Sequence, residues 1–257
     1  MAELLRHKKV RMNAELKKII EESNSVVFFG GAGVSTESGI PDFRSENGLY
    51  NAKNNYGYAP EEIISHSFFV RDPYTFYDYY KKNMVAPWAK PNAAHLALAR
   101  LEEEGKLLAV VTQNIDGLHQ MAGSKKVYEL HGSVHRNYCQ WCRKEYDLAY
   151  ILNEDNCEPG KNGMLGIPKC SCGGVIKPDV VLYEEGLDDA TVSGAVSAIA
   201  KADTLIIGGT SLAVYPAAGF INYFRGKHLV VINKTPTGAD SNADLVIRDP
   251  IGVALGD

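Results

Sequence analysis

The amino-acid sequence predicts an α/β protein built on a Rossmann-like, doubly wound parallel sheet, with a smaller second lobe attached. Three features of its 257 residues lead to this prediction. Short apolar runs alternate with helical patterns, a glycine-rich turn follows the first run, and every cysteine lies between Cys139 and Cys172. The hydrophobic fraction of 45% and charged fraction of 23% are typical of an ordinary globular chain.

The strand predictions rest on apolar runs that lack polar–apolar alternation. Runs of this kind suit strands that are buried on both faces of a parallel sheet. They lie at residues 26–29, 107–111, 127–130, 204–207, 229–232 and 245–247. Helical patterns lie at residues 13–23, where Asn13 is the candidate N-cap, and at 93–104 and 190–200. This alternation of strands and helices predicts the doubly wound sheet.

Two segments interrupt the alternation and predict the second lobe. Residues 41–90 are rich in tyrosine and phenylalanine, and residues 133–180 contain the cysteines. We interpret both as insertions that form the small lobe. The large lobe is then expected to comprise residues 13–40, 91–132 and 181–250, within a single domain that spans residues 1–257.

The cysteines form two pairs with the spacing of a metal site. Cys139 and Cys142 are separated by two residues, and Cys170 and Cys172 by one. Four thiolates at two tight turns are typical ligands of a structural Zn²⁺, which keeps no open position and takes no part in catalysis. Cys157 is left over and is a candidate alternate ligand. We therefore expect one structural zinc ion in the smaller lobe.

A nucleotide site is indicated by the residues that follow three of the apolar runs. In the GGAG turn at 30–33, backbone N–H groups would approach a pyrophosphate, although Thr36 stands where a dinucleotide fingerprint has its third glycine. The GGTS stretch at 208–211 and Asn233 follow two further runs and are candidates for phosphate and ribose contacts. Glycine pairs after strands also serve packing alone, so the interpretation depends on all three strand ends.

Two polar stretches follow the second and third predicted strands. They read TQNIDGLH at 112–119 and ELHGS at 129–133. Polar residues at the carboxyl ends of parallel strands are where α/β proteins assemble sites. His131 is therefore the candidate general base. A lone histidine is more often structural or exposed, which is our interpretation of His66, His95, His119 and His135.

Together these motifs resemble the sirtuin family of NAD-dependent protein deacylases, in its bacterial form. The matching stretches are GAGVS at 31–35, GIPDFR at 39–44, TQNIDGLH at 112–119, HG at 131–132, the cysteine pairs, GGTS at 208–211 and IN at 232–233. They extend from about residue 25 to residue 247 in the order that the family shows. The resemblance implies an inverted Rossmann lobe, a zinc-bearing small lobe, and a cleft for NAD and an acyl-lysine peptide between them.

The resemblance also implies roles for particular residues, with His131 as the catalytic base. Contacts with NAD are expected from Gly31, Ala32, Gly33, Thr36, Phe43, Arg44, Gln113, Asn114, Ile115, Asp116, Gly208, Thr210, Ser211 and Asn233. The peptide is expected to lie extended between residues 181–186 and 213–215, against Val181, Tyr183, Glu184, Glu185 and Val214. Zinc is expected at Cys139, Cys142, Cys170 and Cys172.

The implied activity is NAD-dependent deacetylation of protein lysine. Acetyl-lysine, NAD and water become lysine, nicotinamide and 2′-O-acetyl-ADP-ribose, so NAD is consumed. Asp116 and the Ile115 backbone would hold the nicotinamide amide, and the acyl oxygen would attack the anomeric carbon to give an imidate. His131 would deprotonate the ribose hydroxyl that attacks this imidate. Residues 39–44 resemble a mobile lid, in which Phe43 covers the ribose.

Acyl preference is also partly implied. Family members that remove succinyl or malonyl groups carry a tyrosine and an arginine three residues apart in the acyl pocket. Between Ser45 and Asp72 this chain has tyrosines at 50, 56 and 58, but no arginine before Arg71. We therefore expect deacetylation, with limited activity on acidic acyl groups.

The chain departs from the family in the segment that would bind the peptide. Many sirtuins have Phe-Gly-Glu where this chain has Tyr183-Glu184-Glu185, and Gly186 follows in place of a frequent asparagine. The carboxylate of Glu184 adds a negative charge beside the peptide groove. We therefore hypothesise a preference for basic substrates.

The sequence leaves other functions open. A mono-ADP-ribosyltransferase would use the same site, a deacylase could prefer longer acyl chains, and a zinc-ribbon module could bind acyl-lysine without turnover. A redox dehydrogenase is disfavoured because the glycine fingerprint is incomplete. We expect a monomeric, cytoplasmic protein that acts on acetylated proteins or peptides without membrane association. The net charge of −4 argues against direct nucleic-acid binding.

Overall fold

The computed structural model describes residues 12–43, 48 and 56–256. Its strands are β1 (Val26–Gly30), β2 (Leu107–Thr112), β3 (Val127–Glu129), β4 (Gly132–Cys139), β5 (Glu145–Tyr146), β6 (Cys157–Glu158), β7 (Ile167–Pro168), β8 (Ile176–Val180), β9 (Thr204–Gly208), β10 (His228–Ile232) and β11 (Leu245–Ile247). Its α-helices are α1 (Ala14–Glu22), α2 (Pro60–Ile63), α3 (His66–Arg71), α4 (Pro73–Tyr79), α5 (Ala93–Glu103), α6 (Leu118–Ala122), α7 (Leu148–Leu152), α8 (Asp189–Lys201) and α9 (Ile251–Leu255).

Shorter helical turns complete the description. The 3₁₀ helices are Ala32–Ser38, Glu154–Asn156, Ala217–Tyr223 and Asp240–Asn242, and a π-helical turn spans Tyr80–Met84. Across the described part of the chain, no helix has the length and apolar character needed to cross a membrane.

A parallel sheet of six strands forms the centre of the structure, in the order β11-β10-β9-β1-β2-β3. All of its neighbouring strands run parallel. Each strand coincides, within one residue at each end, with an apolar run of the sequence, so the prediction of the sheet is confirmed. Gly30 at the end of β1 lies opposite both Thr112 and Gly208. The carboxyl ends of three adjacent strands are therefore level.

Helices cover both faces of the sheet because successive residues of a strand point to opposite sides. Phe28 packs in one core cluster with residues of α1, α5 and α9, whereas Phe29 packs in a second cluster with residues of α8. The predicted cap of α1 is also present, since the Asn13 side chain accepts hydrogen bonds from the backbone N–H groups of Glu15 and Leu16.

The two segments that interrupt the sheet share a third, aromatic-rich core. Phe76 lies at its centre, with ring centroids 4.9 Å from Phe69 and 5.2 Å from Tyr77. From the second segment, Val134 and Val180 join the same cluster. The second segment also forms an antiparallel sheet in the order β5-β4-β8 and the small β6-β7 pair. The exact lobe boundaries stay a prediction.

Gly132 connects the parallel sheet to this antiparallel sheet, directly after His131. Its φ of +73° is left-handed, and a Cβ atom built on it would lie 1.8 Å from the carbonyl oxygen of Asp179. β8 can approach β4 this closely only because residue 132 has no side chain.

We predict that Gly132→Ala lowers the free energy of unfolding by about 3 kcal/mol, since left-handed strain is combined with steric overlap. Gly105→Ala is the matched control, because Gly105 also has a φ of +73° but no atom lies within 4 Å of the position that its Cβ would occupy. The control should lose only the conformational part, about 1–2 kcal/mol. Urea unfolding measures both values, and equal losses would contradict the steric argument.

Candidate active site

A cavity of 690 Å³ opens at the carboxyl ends of the central strands. Almost all residues predicted to contact NAD line it, namely Gly31, Ala32, Gly33, Thr36, Phe43, Gln113, Asn114, Ile115, Asp116, Thr210, Ser211 and Asn233. His131 and the predicted peptide contacts Val181, Tyr183, Glu184, Glu185 and Val214 line the same cavity. Gly208 is the last residue of β9 and is not among the lining residues. Arg44 lies outside the described residues.

The glycine turn after β1 packs directly on the turn after β9. The N–H of Gly33 donates to the carbonyl of Gly209 over 2.8 Å, and the N–H of Gly31 donates to the carbonyl of Gly208 over 3.2 Å. A Cβ atom on Gly33 would lie 2.7 Å from the Cα of Gly209. Both of these N–H groups are paired with backbone carbonyls, and contact between the 30–33 turn and a pyrophosphate stays a prediction. The absence of a side chain at Gly33 permits the close contact between the two turns.

A hydrogen-bonded carboxylate lies in the loop that follows β2. Asp116 accepts from the Ser35 hydroxyl over 2.6 Å and from the backbone N–H of Leu118 over 3.0 Å. The Asn114 amide donates to Ser35 Oγ over 3.0 Å. Ser35 is buried and lines the cavity. Sequence reasoning assigned Ser35 no role, although it belongs to the motif at 31–35 that signals this turn.

Gln113 connects three loops of the cavity. Its backbone N–H continues the β1–β2 ladder by donating to the carbonyl of Gly30 over 3.0 Å. Its side-chain amide donates to the Thr210 hydroxyl over 3.0 Å. Its carbonyl lies 3.0 Å from the Nδ1 of His131. The orientation of His131 therefore depends on the loop after β2.

The contact with Gln113 determines which nitrogen of His131 carries its proton. A carbonyl oxygen can only accept, so Nδ1 is the donor and the neutral imidazole keeps its lone pair on Nε2. Burial lowers the pKa of His131 below its ordinary value of 6.5, and the hydrogen bond to Gln113 opposes this shift. His131 is therefore unprotonated at neutral pH, as a general base requires.

The end of β10 contributes a loop held by its own polar groups. The Asn233 amide donates to the carbonyl and the hydroxyl of Thr235. Arg248 donates to the carbonyl of Asn233 over 2.9 Å, and it also pairs with Asp240. Lys234 and Thr235 line the cavity beside Asn233, although sequence reasoning did not select them.

The segment expected to bind the peptide is already paired along one edge. The N–H of Tyr183 donates to the carbonyl of Ile64, and the N–H of His66 donates to the carbonyl of Tyr183. Glu184 has a φ of 76°, a left-handed conformation that favours glycine. Its carboxylate accepts from the N–H and the hydroxyl of Ser67 over 2.8 and 2.9 Å. These bonds hold the segment in place.

The two described tyrosines that we considered for acyl selectivity, Tyr56 and Tyr58, make contacts outside the cavity. Tyr56 donates to Asp78, and the ring of Tyr58 packs on Phe68. Neither lines the cavity, and Tyr50 is outside the described residues. Arg71 pairs with Glu62. Among the residues that the structure describes, no arginine lines the cavity.

The four histidines that we interpreted as structural or exposed lie outside the catalytic role assigned to His131. His66 bonds Glu185, and the Nε2 of His135 lies 3.0 Å from the carbonyl of Asp116. His95 and His119 are fully buried, with ring centroids 4.7 Å apart. Burial lowers their pKa values to about 4 and about 3, so both are neutral at neutral pH.

Four cysteine sulfurs converge at the end of β4. The Sγ atoms of Cys139, Cys142, Cys170 and Cys172 all lie within 4.8 Å of one another. Hydrogen bonds from the backbone N–H of Cys172 and from the hydroxyl of Tyr146 lower the pKa of the Cys170 thiol to about 6. A compact set of four cysteine sulfurs fits tetrahedral zinc without a water ligand.

Cys157 is not part of this cluster, so its interpretation as an alternate ligand is wrong. It begins β6, and its Sγ lies 3.3 Å from the Nζ of Lys81. Lys81 is itself buried, and it donates to Glu154 and to the carbonyl of Gly166. The sulfur of Cys157 therefore lies beside the buried amine of Lys81 and not in the four-cysteine cluster.

Comparison with known proteins gives a consistent result. The Sir2 family profile matches residues 31–216. An NAD-dependent protein deacetylase of Clostridium perfringens is 64% identical over 244 residues, which cover 94% of this chain and 96% of the relative. One of Clostridium acetobutylicum is 61% identical over 242 residues, which cover 94% and 95%.

Solved structures of Sir2 proteins are also similar to this chain. A Sir2 variant with deacetylated p53 peptide and 3′-O-acetyl-ADP-ribose is 36% identical with a TM-score of 0.84, covering 95% of this chain and 96% of that one. A Sir2 structure with p53 peptide and NAD⁺ is 37% identical with a TM-score of 0.80, covering 94% and 95%.

We predict that the purified protein contains about one zinc ion per chain, because four thiolates satisfy a structural site. Cys142→Ser should lose the ion and lower the melting temperature, since binding of the metal stabilises the fold. Cys157→Ser is the control and should retain zinc. Elemental analysis measures the metal content. Zinc retained by Cys142→Ser, or lost from Cys157→Ser, would contradict this site.

Proposed function

The chain belongs to the Sir2 family. On that basis we propose which residues of its cavity bind NAD, which bind the peptide and which act as the base in NAD-dependent protein deacetylation. The protein is an NAD-dependent protein deacetylase, with NAD as co-substrate and a structural zinc site. The orientation of His131 by Gln113 carries the proposal. It offers a neutral imidazole nitrogen as the base within a cavity that also contains both expected substrate sites.

We assign NAD to the part of the cavity nearest the ends of β1, β9 and β10. A volume of 690 Å³ is in the range of cofactor and small-molecule sites. Ala32, Thr36 and Phe43 are proposed to contact NAD from the first turn, and Arg44 follows them in the sequence. Ser211 and Asn233 are proposed to bind the phosphates and the adenosine end. All of the described members of this set line the cavity, which supports the assignment.

Asp116 is proposed to hold the nicotinamide carboxamide. Its carboxylate is oriented by the Ser35 hydroxyl and the N–H of Leu118. A carboxylate oxygen can accept more than one hydrogen bond, so it can still receive an N–H from the carboxamide. When bound, NAD supplies a ribose whose nicotinamide is a good leaving group. Asp116 and the Ile115 backbone would orient that group for departure.

His131 is proposed to accept a proton from a ribose hydroxyl at its Nε2 atom. The hydroxyl oxygen can then attack the carbon of the acyl group, which leaves the lysine. The fixed tautomer supports this role, because a ring that carried its proton on Nε2 could not accept another there. The lowered pKa supports it as well, since it keeps the base free at neutral pH.

The acetylated peptide is proposed to lie extended along residues 181–185, facing Val214. Peptides commonly bind by adding a strand to a partly paired edge. Residues 64–66 already pair with one edge of this segment, so the opposite edge is the one that we assign to the peptide. All catalytic and binding residues in this scheme come from one chain. We therefore propose a monomeric enzyme, active on acetylated proteins in the cytoplasm.

Glu184 is proposed to favour basic residues near the acetylated lysine. Its carboxylate is exposed, and the hydrogen bonds from Ser67 hold it at the edge of the cavity. Exposed charge pairs are weak, so we propose a modest preference.

We predict that His131→Ala reduces kcat/KM for deacetylation by at least about a hundredfold, the usual contribution of a general base. The wild-type protein should lose activity as pH falls through a pKa below 6.5, because protonation of His131 removes the base. A pH series of kcat/KM measures this. Circular dichroism of the variant shows whether its fold is retained. A normally active folded variant, or an acid limb centred above 6.5, would contradict the assignment.

We predict that Glu184→Gln reduces the preference for peptides flanked by Lys or Arg over those flanked by Asp or Glu by about twofold to fivefold. Glu184→Gly should reduce it equally, although it also relieves the left-handed backbone, because both variants remove the charge. Glu103→Gln, an exposed change on α5, is the control. Equal kcat/KM for the two peptide classes with the wild-type protein would exclude the hypothesis.

A further inference from the structure

A lysine and a glutamate join the two ends of the segment at residues 181–185, which we assign to the peptide. Lys177 lies in β8, which runs directly into this segment, and Glu185 is its last residue. The Nζ of Lys177 lies 3.0 Å from a carboxylate oxygen of Glu185. Only 13% of the Lys177 side chain and 22% of the Glu185 side chain are exposed, so water and salt screen this pair less than an exposed pair.

The other donors of Lys177 bind the backbone that leads into the segment. Its Nζ donates to the carbonyl of Val180 over 3.0 Å and to the carbonyl of Pro178 over 3.3 Å. Together with the bond to Glu185, these contacts use all three N–H donors of the ammonium group. Lys177 therefore has no donor left for a substrate, and its side chain holds the chain on both sides of Val181.

The carboxylate of Glu185 is likewise bonded within the protein. One oxygen accepts from the backbone N–H of Leu182 over 2.9 Å as well as from Lys177, and the other lies 2.8 Å from the Nδ1 of His66. Burial raises the pKa of this carboxyl, but the bonds from His66, Leu182 and Lys177 outweigh that effect and lower the pKa below its ordinary value of 4.5. Glu185 is therefore ionised at neutral pH, and both of its oxygens face partners in the chain.

The same segment is tied to the proposed base. The N–H of Val181 donates to the carbonyl of His131 over 3.0 Å. The residues on either side of Val181 bind the ion pair, Val180 through its carbonyl to Lys177 and Leu182 through its N–H to Glu185. A change in the pair would therefore move the peptide-binding edge relative to the base.

We propose that Lys177 and Glu185 are positioning residues that fix the conformation of residues 181–185 for an extended peptide, without contacting the peptide themselves. The inference rests on the proposed deacetylase function, and it gives Glu185 a role different from the direct contact expected from the sequence. Backbone hydrogen bonds bind a peptide whatever its side chains are, so the pair should affect all acetylated peptides alike. Glu184, in contrast, is proposed to act on particular flanking residues.

The test measures KM for the peptide and KM for NAD separately, with one acetylated peptide flanked by Lys or Arg and one flanked by Asp or Glu. Lys177→Met and Glu185→Gln should each raise the KM of both peptides by about tenfold, since a hydrogen bond between charged groups is lost, while KM for NAD changes by less than about twofold. The double variant should resemble the stronger single variant, because both changes remove one interaction. Lys177→Arg keeps the cation and should have a peptide KM between those of the wild type and Lys177→Met.

Arg71→Gln is the matched control. It removes an ion pair of the same 3.0 Å length, with Glu62, in which both side chains are exposed, so both KM values should equal those of the wild type. Circular dichroism shows whether each variant folds. If Lys177→Met does not fold, Glu185→Gln decides the test, since its amide oxygen can still accept from the N–H of Leu182.

Three results would overturn the inference. They are an unchanged peptide KM in a folded variant, an equal rise in KM for NAD, and a rise confined to the peptide with basic flanks, which would indicate direct contact between Glu185 and the peptide. NAD-dependent deacetylation of both peptides by the wild type is measured in parallel. Its absence would contradict the proposed function instead.

Discussion

The level ends of β1, β2 and β9 are the constraint on which the active site depends. Backbone hydrogen bonds continue beyond the strands, from the N–H of Gln113 to Gly30, of Leu130 to Thr112 and of Gly33 to Gly209. They bring the loops to one edge of the sheet, where the cavity lies. A shift of one residue in the pairing would turn each neighbouring side chain to the opposite face. The buried apolar residues of both faces oppose such a shift.

At this edge of the sheet, buried polar side chains are mainly hydrogen-bonded to one another or to the backbone. Ser35, Asn114 and Asp116 form one connected group, and His131 is held by a backbone carbonyl. Such a network is stable when its members are paired, and it fixes the direction of each group. Tyr80 is different, because its buried hydroxyl has no hydrogen-bond partner among the described residues.

The sequence was sufficient to predict the sheet and the four cysteines that converge, because strand burial and ligand spacing are local signals. The packing of the turn at Gly31 and Gly33 on the turn after β9 was not predicted, since this contact joins residues far apart in the chain. The π-helical turn at Tyr80–Met84 has no distinct periodicity, so the sequence did not predict it. The left-handed backbone of Glu184 is stabilised by Ser67, a partner that the sequence does not identify.

Mass spectrometry of an acetyl-lysine peptide incubated with the protein, with and without NAD, tests NAD-dependent deacetylation by this chain most directly. We expect the peptide to lose its acetyl group only when NAD is present, with one nicotinamide and one O-acetyl-ADP-ribose formed for each lysine released. ADP-ribose attached to protein while the acetyl group stays on the peptide would contradict deacetylation and indicate a mono-ADP-ribosyltransferase. Loss of the acetyl group without NAD would contradict it equally.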